Sequence, residues 1–64
     1  MNYQKIYNDL INSARRKILT EDYIERHHII PRCMGGDNNI ENIVNLSAAE
    51  HFVAHQLLAK INPL

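Results

Sequence analysis

The four histidines of this 64-residue chain fall in two pairs, and their spacing is the first sign of chemistry. His27 and His28 are adjacent, whereas His51 and His55 are four residues apart. Residues four apart lie one turn apart on the same face of a helix, so two imidazoles at this spacing can reach one metal ion. A side chain of the first pair can complete the site if its segment packs across that helix. The pattern predicts a divalent-metal site built from imidazole nitrogens.

A histidine that is not needed as a ligand can act as a base. Imidazoles titrate near neutral pH and accept a proton from water, while a bound divalent ion stabilises negative charge on a phosphate and on the departing oxygen. One base and one metal ion are therefore sufficient for phosphodiester hydrolysis. Because neighbouring side chains on a regular strand point to opposite faces, we expect a distorted strand if His27 and His28 serve one phosphate.

A helix is predicted in front of these histidines. Apolar residues recur every three or four positions from Tyr3 to Ile18, which is typical of an amphipathic helix within residues 1–20. The basic triplet Arg15–Lys17 falls in its last turn, where positive charge complements the helix dipole. A positively charged binding patch is the alternative interpretation of the triplet.

A hairpin is predicted between that helix and the second pair of histidines. The β-branched and aromatic residues of Tyr23–Ile30, closed by Pro31, indicate a strand. Residues 31–42 collect both glycines, aspartate and asparagines, so we expect a loop with a tight turn at Gly35-Gly36. Ile43–Leu46 is then the returning strand.

A second helix follows the hairpin. Ser47 and Glu50 form a capping box, in which two side chains satisfy the free amides at a helix start. Strong helix formers with an apolar face extend over Ala48–Ile61, and Asn62-Pro63 ends the helix.

These elements predict an α+β fold, in which an N-terminal helix at residues 1–20 packs on a hairpin-helix module at residues 21–64. A domain of this size buries only about 60% of the surface that its unfolded chain exposes, so its stability is marginal. Cys33 is the only cysteine, which excludes an intramolecular disulfide. A metal ion or a partner must therefore help to hold the fold.

Charge and hydropathy limit the function further. Seven basic and seven acidic residues cancel, so affinity for nucleic acid cannot come from net charge. The chain shows no secretion signal and no apolar run of membrane-spanning length. We therefore expect a cytoplasmic protein that does not interact with membranes.

Several motifs between residues 26 and 58 together closely resemble the HNH, or ββα-metal, nuclease family. They are His28-Ile29-Ile30-Pro31, Gly35-Gly36, Asn42-Ile43-Val44-Asn45-Leu46, and the pair His51 and His55. The chain is most similar to phage homing-type HNH endonucleases and also resembles colicin-type DNases, in which a hairpin and a helix grip one divalent ion. The resemblance implies an endonuclease that hydrolyses DNA phosphodiester bonds and leaves a 5'-phosphate and a 3'-hydroxyl.

The resemblance also implies a role for each matching residue. His28 would be the general base that deprotonates the attacking water. His27, His51 and His55 would be the metal ligands. Asn42 would be the central asparagine of the motif, bracing the loop and so holding the base in position.

The identity of the ion is left open by one departure from the family pattern. Many members carry an acidic residue at the position of His27. Three imidazoles favour Zn²⁺ or Ni²⁺, whereas Mg²⁺ prefers oxygen ligands and retains several waters. Mg²⁺ or Mn²⁺ is still the expected ion for activity if phosphate oxygens and water complete its coordination.

DNA is the expected partner. Arg32 follows the first strand beside the site and can hold a phosphate through paired hydrogen bonds, although a solvated loop residue is the alternative. The zero net charge predicts that target selection comes from an additional DNA-recognition domain or a partner protein. Cleavage of both strands needs two sites, which a homodimer would provide.

Two other functions fit the same residues. In the first, His27, Cys33, His51 and His55 form the closed shell of a structural zinc ion in a non-catalytic module that binds nucleic acid or protein, since four protein ligands leave no open position. In the second, the chain is a helical interaction module with incidental histidines, whose stability does not respond to a chelator.

Overall fold

The computed structural model describes residues 1–17 and 23–63 as a helix, a two-stranded hairpin and a second helix. The elements are α1 (Tyr3–Arg16), β1 (Glu25–His28), β2 (Ile43–Leu46) and α2 (Ala48–Ile61). The predicted α+β class with a hairpin-helix module is confirmed. Ile18 and the predicted boundary between residues 20 and 21 lie outside the described residues.

Helix α1 forms because its start is capped and one face is apolar. The Asn2 side chain accepts a hydrogen bond of 3.0 Å from the Lys5 amide, which satisfies one free N–H of the first turn. Tyr7, Ile11 and Ala14 are buried at the spacing of one helical face. The predicted amphipathic helix is therefore confirmed within the described part of the chain.

The basic end of α1 holds other elements in place. Arg15 donates a hydrogen bond of 2.9 Å to the Glu41 carbonyl oxygen, and Lys17 Nζ lies 2.5 Å from Glu50 Oε2 at the start of α2. Both contacts join segments that are distant in the chain. Two members of the basic triplet thus have structural partners, which favours the structural interpretation over a binding patch.

The hairpin pairs its strands one to one. The antiparallel register pairs Glu25 with Leu46, Arg26 with Asn45, His27 with Val44 and His28 with Ile43. Val44 and Leu46 face inward, and the His27 side chain lies on the same inward face. The hairpin therefore directs one imidazole toward the helices.

Strand β1 is shorter than the predicted Tyr23–Ile30. It stops at His28 because β2 offers only four partner residues. The backbone of Ile30 instead bonds to the side chain of Asn42, which donates to its carbonyl oxygen at 3.0 Å and accepts from its amide at 2.8 Å. The local apolar run thus predicted too long a strand, since the length of a strand depends on how many residues of the neighbouring strand pair with it.

The connection between the strands contains the predicted tight turn, flanked by single turns of 3₁₀ helix at Arg32–Met34 and Ile40–Asn42. Gly35 adopts the left-handed conformation, with φ of 95°. A Cβ on Gly36 would lie 1.7 Å from the Ile30 carbonyl oxygen, so only glycine fits this close approach.

Helix α2 begins at the predicted capping box. Ser47 Oγ accepts from the Glu50 amide at 3.2 Å, and Glu50 Oε1 accepts from the Ser47 amide at 3.0 Å. Within residues 1–17 and 23–63, neither helix combines the length and apolar character needed to cross a bilayer.

The apolar core lies where both helices meet β2. Its buried members are Tyr7, Ile11, Ala14, Val44, Leu46, Ala54 and Leu57. Leu46 is fully buried. His27 is the single buried polar residue among those that the structure describes, at 2% exposure. One of the predicted metal ligands is therefore packed in the protein interior.

We expect Leu46→Ala to unfold most of the protein when no metal is added. Truncating a buried leucine costs about 2–5 kcal/mol, and a domain of this size rarely has more than about 3–5 kcal/mol of stability. Ile40→Ala is the matched control, because Ile40 is 87% exposed, and should change the free energy of unfolding by less than about 0.5 kcal/mol. Urea unfolding followed by circular dichroism gives both values. Equal stabilities for the two variants would contradict this core assignment.

Candidate metal centre

Three imidazoles from two elements form one cluster. His27 on β1 and His51 and His55 on α2 each offer a ring nitrogen, and these nitrogens lie within 4.8 Å of one another. The ring centroids of His27 lie 5.1 Å and 5.5 Å from those of His51 and His55. The structure thus brings together the three residues that the sequence predicted as ligands. Their role in binding a metal stays a prediction.

His27 is the deepest member of the cluster. Burial lowers its pKa to about 4, and the positive charges that His51, His55 and His28 can carry lower it in the same direction. His27 is therefore neutral at pH 7, and a neutral imidazole has the lone pair that a metal ligand requires.

Tyr7 on α1 contacts Nε2 of the His27 ring. Its hydroxyl lies 2.7 Å from His27 Nε2 and donates a hydrogen bond of 2.6 Å to the Ile29 carbonyl oxygen. Burial raises the pKa of Tyr7 to about 12, so the phenol stays protonated. Sequence reasoning placed Tyr7 only on the apolar face of α1, since helical spacing carries no sign of a contact 20 positions away.

Glu25 orients His51 from the neighbouring strand. His51 Nδ1 lies 2.6 Å from Glu25 Oε1, and Tyr23 donates a hydrogen bond to the other carboxylate oxygen. The Tyr23 and His51 hydrogen bonds lower the pKa of Glu25, so the carboxylate is ionised and accepts. His51 then donates from Nδ1 and keeps its lone pair on Nε2. Sequence reasoning missed Glu25, although it stands two residues before His27 and so shares a strand face with it.

The two helix histidines are hydrogen-bonded to each other, with His55 Nε2 donating to the lone pair of His51 Nε2. His51 Nε2 and His55 Nε2 are 3.0 Å apart, at the spacing of one helical turn. The donor set fits a divalent transition ion, because imidazole nitrogen suits Zn²⁺, Ni²⁺, Cu²⁺ and Fe²⁺. Cys33 is exposed and lies outside the cluster. The four-ligand shell considered from the sequence is therefore absent from the described residues.

His28 borders the cluster but has a different partner. Its Nε2 lies 2.8 Å from Asn38 Oδ1 in the loop. An amide oxygen only accepts, so His28 donates from Nε2 and has its lone pair on Nδ1. Asn38 therefore selects the nitrogen that can accept a proton, and sequence reasoning had assigned this asparagine only to the turn.

Asn42 spans the loop with its amide group. Besides both bonds to the Ile30 backbone, its Nδ2 donates to the Asp37 carbonyl oxygen at 2.8 Å. The backbone carbonyl oxygen of Asn42 accepts from the Ile29 amide at 2.8 Å. These bonds tie the end of β1 to the start of β2. Such an arrangement is suited to bracing the segment next to His28, and this functional role stays a prediction.

A cleft of about 290 Å³ joins these groups, lined by Arg26, His27, His28, Pro31, Arg32, His51 and His55. Both adjacent histidines border it although their strand is paired one to one. The expected strand distortion is therefore wrong: β1 ends at His28, and a cleft at a strand end can receive side chains from both strand faces. Arg32 is exposed at the same cleft, and its contact with phosphate stays a prediction.

Comparison with known proteins identifies similar sequences. The HNH endonuclease family model matches residues 14–49, a segment that includes His27, His28 and Asn42 and ends before His51. Probable mobile endonuclease E of Enterobacteria phage T4 is 59% identical over 64 residues, which cover 100% of this chain and 45% of that protein. No solved structure gave a significant match.

Two further relatives extend this similarity. Probable mobile endonuclease D of the same phage is 50% identical over 66 residues, covering 97% of this chain and 26% of that protein. An uncharacterized 38.5 kDa protein in psbA intron 1 of Chlamydomonas moewusii is 37% identical over 51 residues, covering 80% of this chain and 15% of that protein. The chain thus spans less than half the length of each of these relatives.

We expect Zn²⁺ to stabilise the protein and EDTA to remove the effect. A ligand present at about 100 times its Kd adds about 2.7 kcal/mol, and in a domain of this size that raises the melting temperature by roughly 10–20 °C. Melting curves with Zn²⁺ and with excess EDTA measure the shift. His55→Ala should abolish it and His28→Ala should retain it. A zinc-loaded sample whose melting temperature does not respond to EDTA would contradict the metal site.

Proposed function

This chain belongs to the HNH endonuclease family, and we propose that it is the catalytic module of a divalent-metal-dependent endonuclease that hydrolyses DNA. The observation that carries the proposal is the convergence of three imidazole nitrogens beside a fourth histidine in one cleft. A cluster of ligands needs an adjacent base to hydrolyse a phosphodiester, and His28 stands at the edge of this cluster.

His28 is the proposed general base. Its Nδ1 takes a proton from water while its Nε2–H remains bonded to Asn38. The water oxygen attacks phosphorus, the bond to the 3' oxygen breaks, and that oxygen takes a proton from solvent water. The products are a 5'-phosphate and a 3'-hydroxyl. Because Asn38 holds one nitrogen as a donor, the other is presented as an acceptor without a change of tautomer.

His27, His51 and His55 are the proposed ligands of one divalent ion. When bound, such an ion stabilises the charge that develops on the phosphate and on the leaving oxygen. Imidazole nitrogens give the site affinity for Zn²⁺ or Ni²⁺. Mg²⁺ or Mn²⁺ is proposed as the ion for activity, since phosphate oxygens and water can complete its preferred oxygen coordination.

Asn42 and Arg32 are proposed to position the reacting groups. Asn42 holds the loop against the strand end, so that the backbone next to His28 has one conformation. Arg32 lines the cleft and offers a planar guanidinium that matches two phosphate oxygens. The first residue acts through the base, and the second acts on the substrate.

Target selection is proposed to lie outside this module. Its net charge is zero, so unspecific attraction to the phosphate backbone is weak. The relatives are longer than this chain, which is consistent with an additional DNA-recognition domain or with a partner protein. Because residues 1–17 and 23–63 contain one such cluster, cleavage of both strands would require two copies, as in a homodimer.

We expect His28→Ala to lower the rate of plasmid nicking about 100- to 10,000-fold while leaving Zn²⁺ affinity unchanged, since the variant loses the base and keeps the ligands. Supercoiled plasmid with Mg²⁺, Mn²⁺, Zn²⁺ or Ni²⁺ gives the rate, and an RNA of matching sequence tests the choice of DNA. Cys33→Ala, an exposed loop substitution, is the matched control and should cut at the wild-type rate. Nicking by His28→Ala at that rate would refute the assigned base.

We expect Arg32→Lys to raise KM for DNA several-fold, because a lysine keeps the charge and loses the paired hydrogen bonds to a phosphate. Steady-state nicking of a labelled oligonucleotide duplex separates KM from kcat. Arg16→Lys is the control, since Arg16 is exposed on α1 and does not line the cleft. An unchanged KM for Arg32→Lys would assign Arg32 to the solvated surface.

A further inference from the structure

Tyr7 links the N-terminal helix to the candidate metal centre. It is 2% exposed, and its hydroxyl oxygen lies 2.7 Å from His27 Nε2 and 2.6 Å from the Ile29 carbonyl oxygen. The hydroxyl therefore touches a cluster imidazole and the backbone at the end of the same strand. Residue 7 also precedes residues 14–49, the segment matched by the family model.

Proton counting determines the direction of these hydrogen bonds. A phenol has one proton and a carbonyl oxygen has none, so the contact with Ile29 requires Tyr7 to donate to it. The phenol oxygen is then the acceptor in its contact with His27. The proton in that contact comes from Nε2, and the lone pair of the neutral His27 ring is on Nδ1.

We propose that Tyr7 is a positioning residue of the metal centre, which holds His27 as its Nε2–H tautomer and so presents Nδ1 to the ion shared with His51 and His55. This inference rests on the proposed function, since it requires the cluster to bind a divalent ion. Tyr7 acts through His27 and does not itself contact the ion.

The hydrogen bond matters because a free neutral imidazole exchanges between two tautomers. Only one of them has its lone pair on Nδ1, the nitrogen that Tyr7 does not contact. An acceptor on the opposite nitrogen selects that form, orients the ring and makes the ligand nitrogen more basic. The chain from the His27 N–H through the Tyr7 hydroxyl to the Ile29 carbonyl also polarises each bond in turn.

The hydrogen-bond acceptors of His51 and His27, which are Glu25 and Tyr7, differ in charge, and the burial of each histidine explains the difference. His51 is partly exposed and donates to the ionised Glu25. His27 is buried beside apolar side chains, where an ionised carboxylate would carry a large desolvation cost. A neutral phenol supplies an acceptor at a much lower cost. The use of tyrosine at this position therefore follows from the depth of His27.

The packing of α1 against the core fixes the position of the Tyr7 hydroxyl. Ile11 and Ala14 are buried on the same face of α1 and fix the helix against the core. The hydroxyl position is thus set by a rigid element and not by a loop. On this basis α1 supplies the hydroxyl that positions His27, in addition to stabilising the module.

The first test reads the tautomer directly in the metal-free protein. Long-range proton–nitrogen NMR of the nitrogen-15-labelled chain at neutral pH should show a protonated Nε2 and a bare Nδ1 for His27. Tyr7→Phe keeps the ring and removes the acceptor, so the His27 signals should move toward a mixture of tautomers. A wild-type His27 protonated at Nδ1 would overturn the proposal.

The second test measures binding of Zn²⁺ by competition with a fluorescent chelator. Tyr7→Phe should lower the affinity about tenfold, which is typical for loss of a hydrogen-bond partner of a metal ligand. Tyr3→Phe is the matched control, because Tyr3 lies one turn earlier on α1 and is only partly buried against the core. It should change affinity by less than about twofold.

A loss of helix packing is distinguished by a third variant. Ile11→Val loosens the buried face of α1 and keeps Tyr7. It should lower the melting temperature while leaving Zn²⁺ affinity within about twofold of wild type. Equal affinities of Tyr7→Phe and wild type would overturn the role of Tyr7 and leave the proposed function intact. Failure of the wild-type chain to bind Zn²⁺ would overturn both the role of Tyr7 and the assignment of the three histidines as metal ligands.

Discussion

Burial of the His27 imidazole is the constraint on which the rest of this molecule depends. A polar ring at 2% exposure needs a hydrogen-bond partner, because an unmatched buried polar group is costly. Tyr7 from α1 meets Nε2, and the ring also contributes a nitrogen to the cluster with His51 and His55 on α2. One strand residue thereby connects both helices to the hairpin.

The small core gives this arrangement a second consequence. Few apolar side chains are buried, and His27 is packed in the interior among them while His51 and His55 lie nearer the surface. An ion held there would join β1 to α2 and would add binding energy to folding energy. Stability and chemistry would then depend on the same three residues, and any change in the cluster should affect both.

The loop is built around a different requirement, which is a fixed backbone beside His28. Asn42 satisfies the polar groups of Ile30 at the strand end, while the absence of a side chain on Gly36 allows the close approach to the Ile30 carbonyl oxygen. Asn38 then meets His28 from within the loop. The cleft therefore has His28 on its loop side and the three-imidazole cluster on its helix side.

The sequence by itself determined the features that follow local rules. Helical periodicity, the capping box at Ser47 and the four-residue spacing of His51 and His55 need only neighbours in the chain, and the resemblance to HNH nucleases added His28 and Asn42. Tertiary structure alone decided the partners of these residues. Tyr7, Glu25 and Asn38 each satisfy a histidine nitrogen across 10 to 26 positions, and β1 ended where its partner strand ended. Such pairings arise because tertiary packing brings distant side chains within hydrogen-bond distance, and spacing along the chain carries no record of which groups packing will bring together.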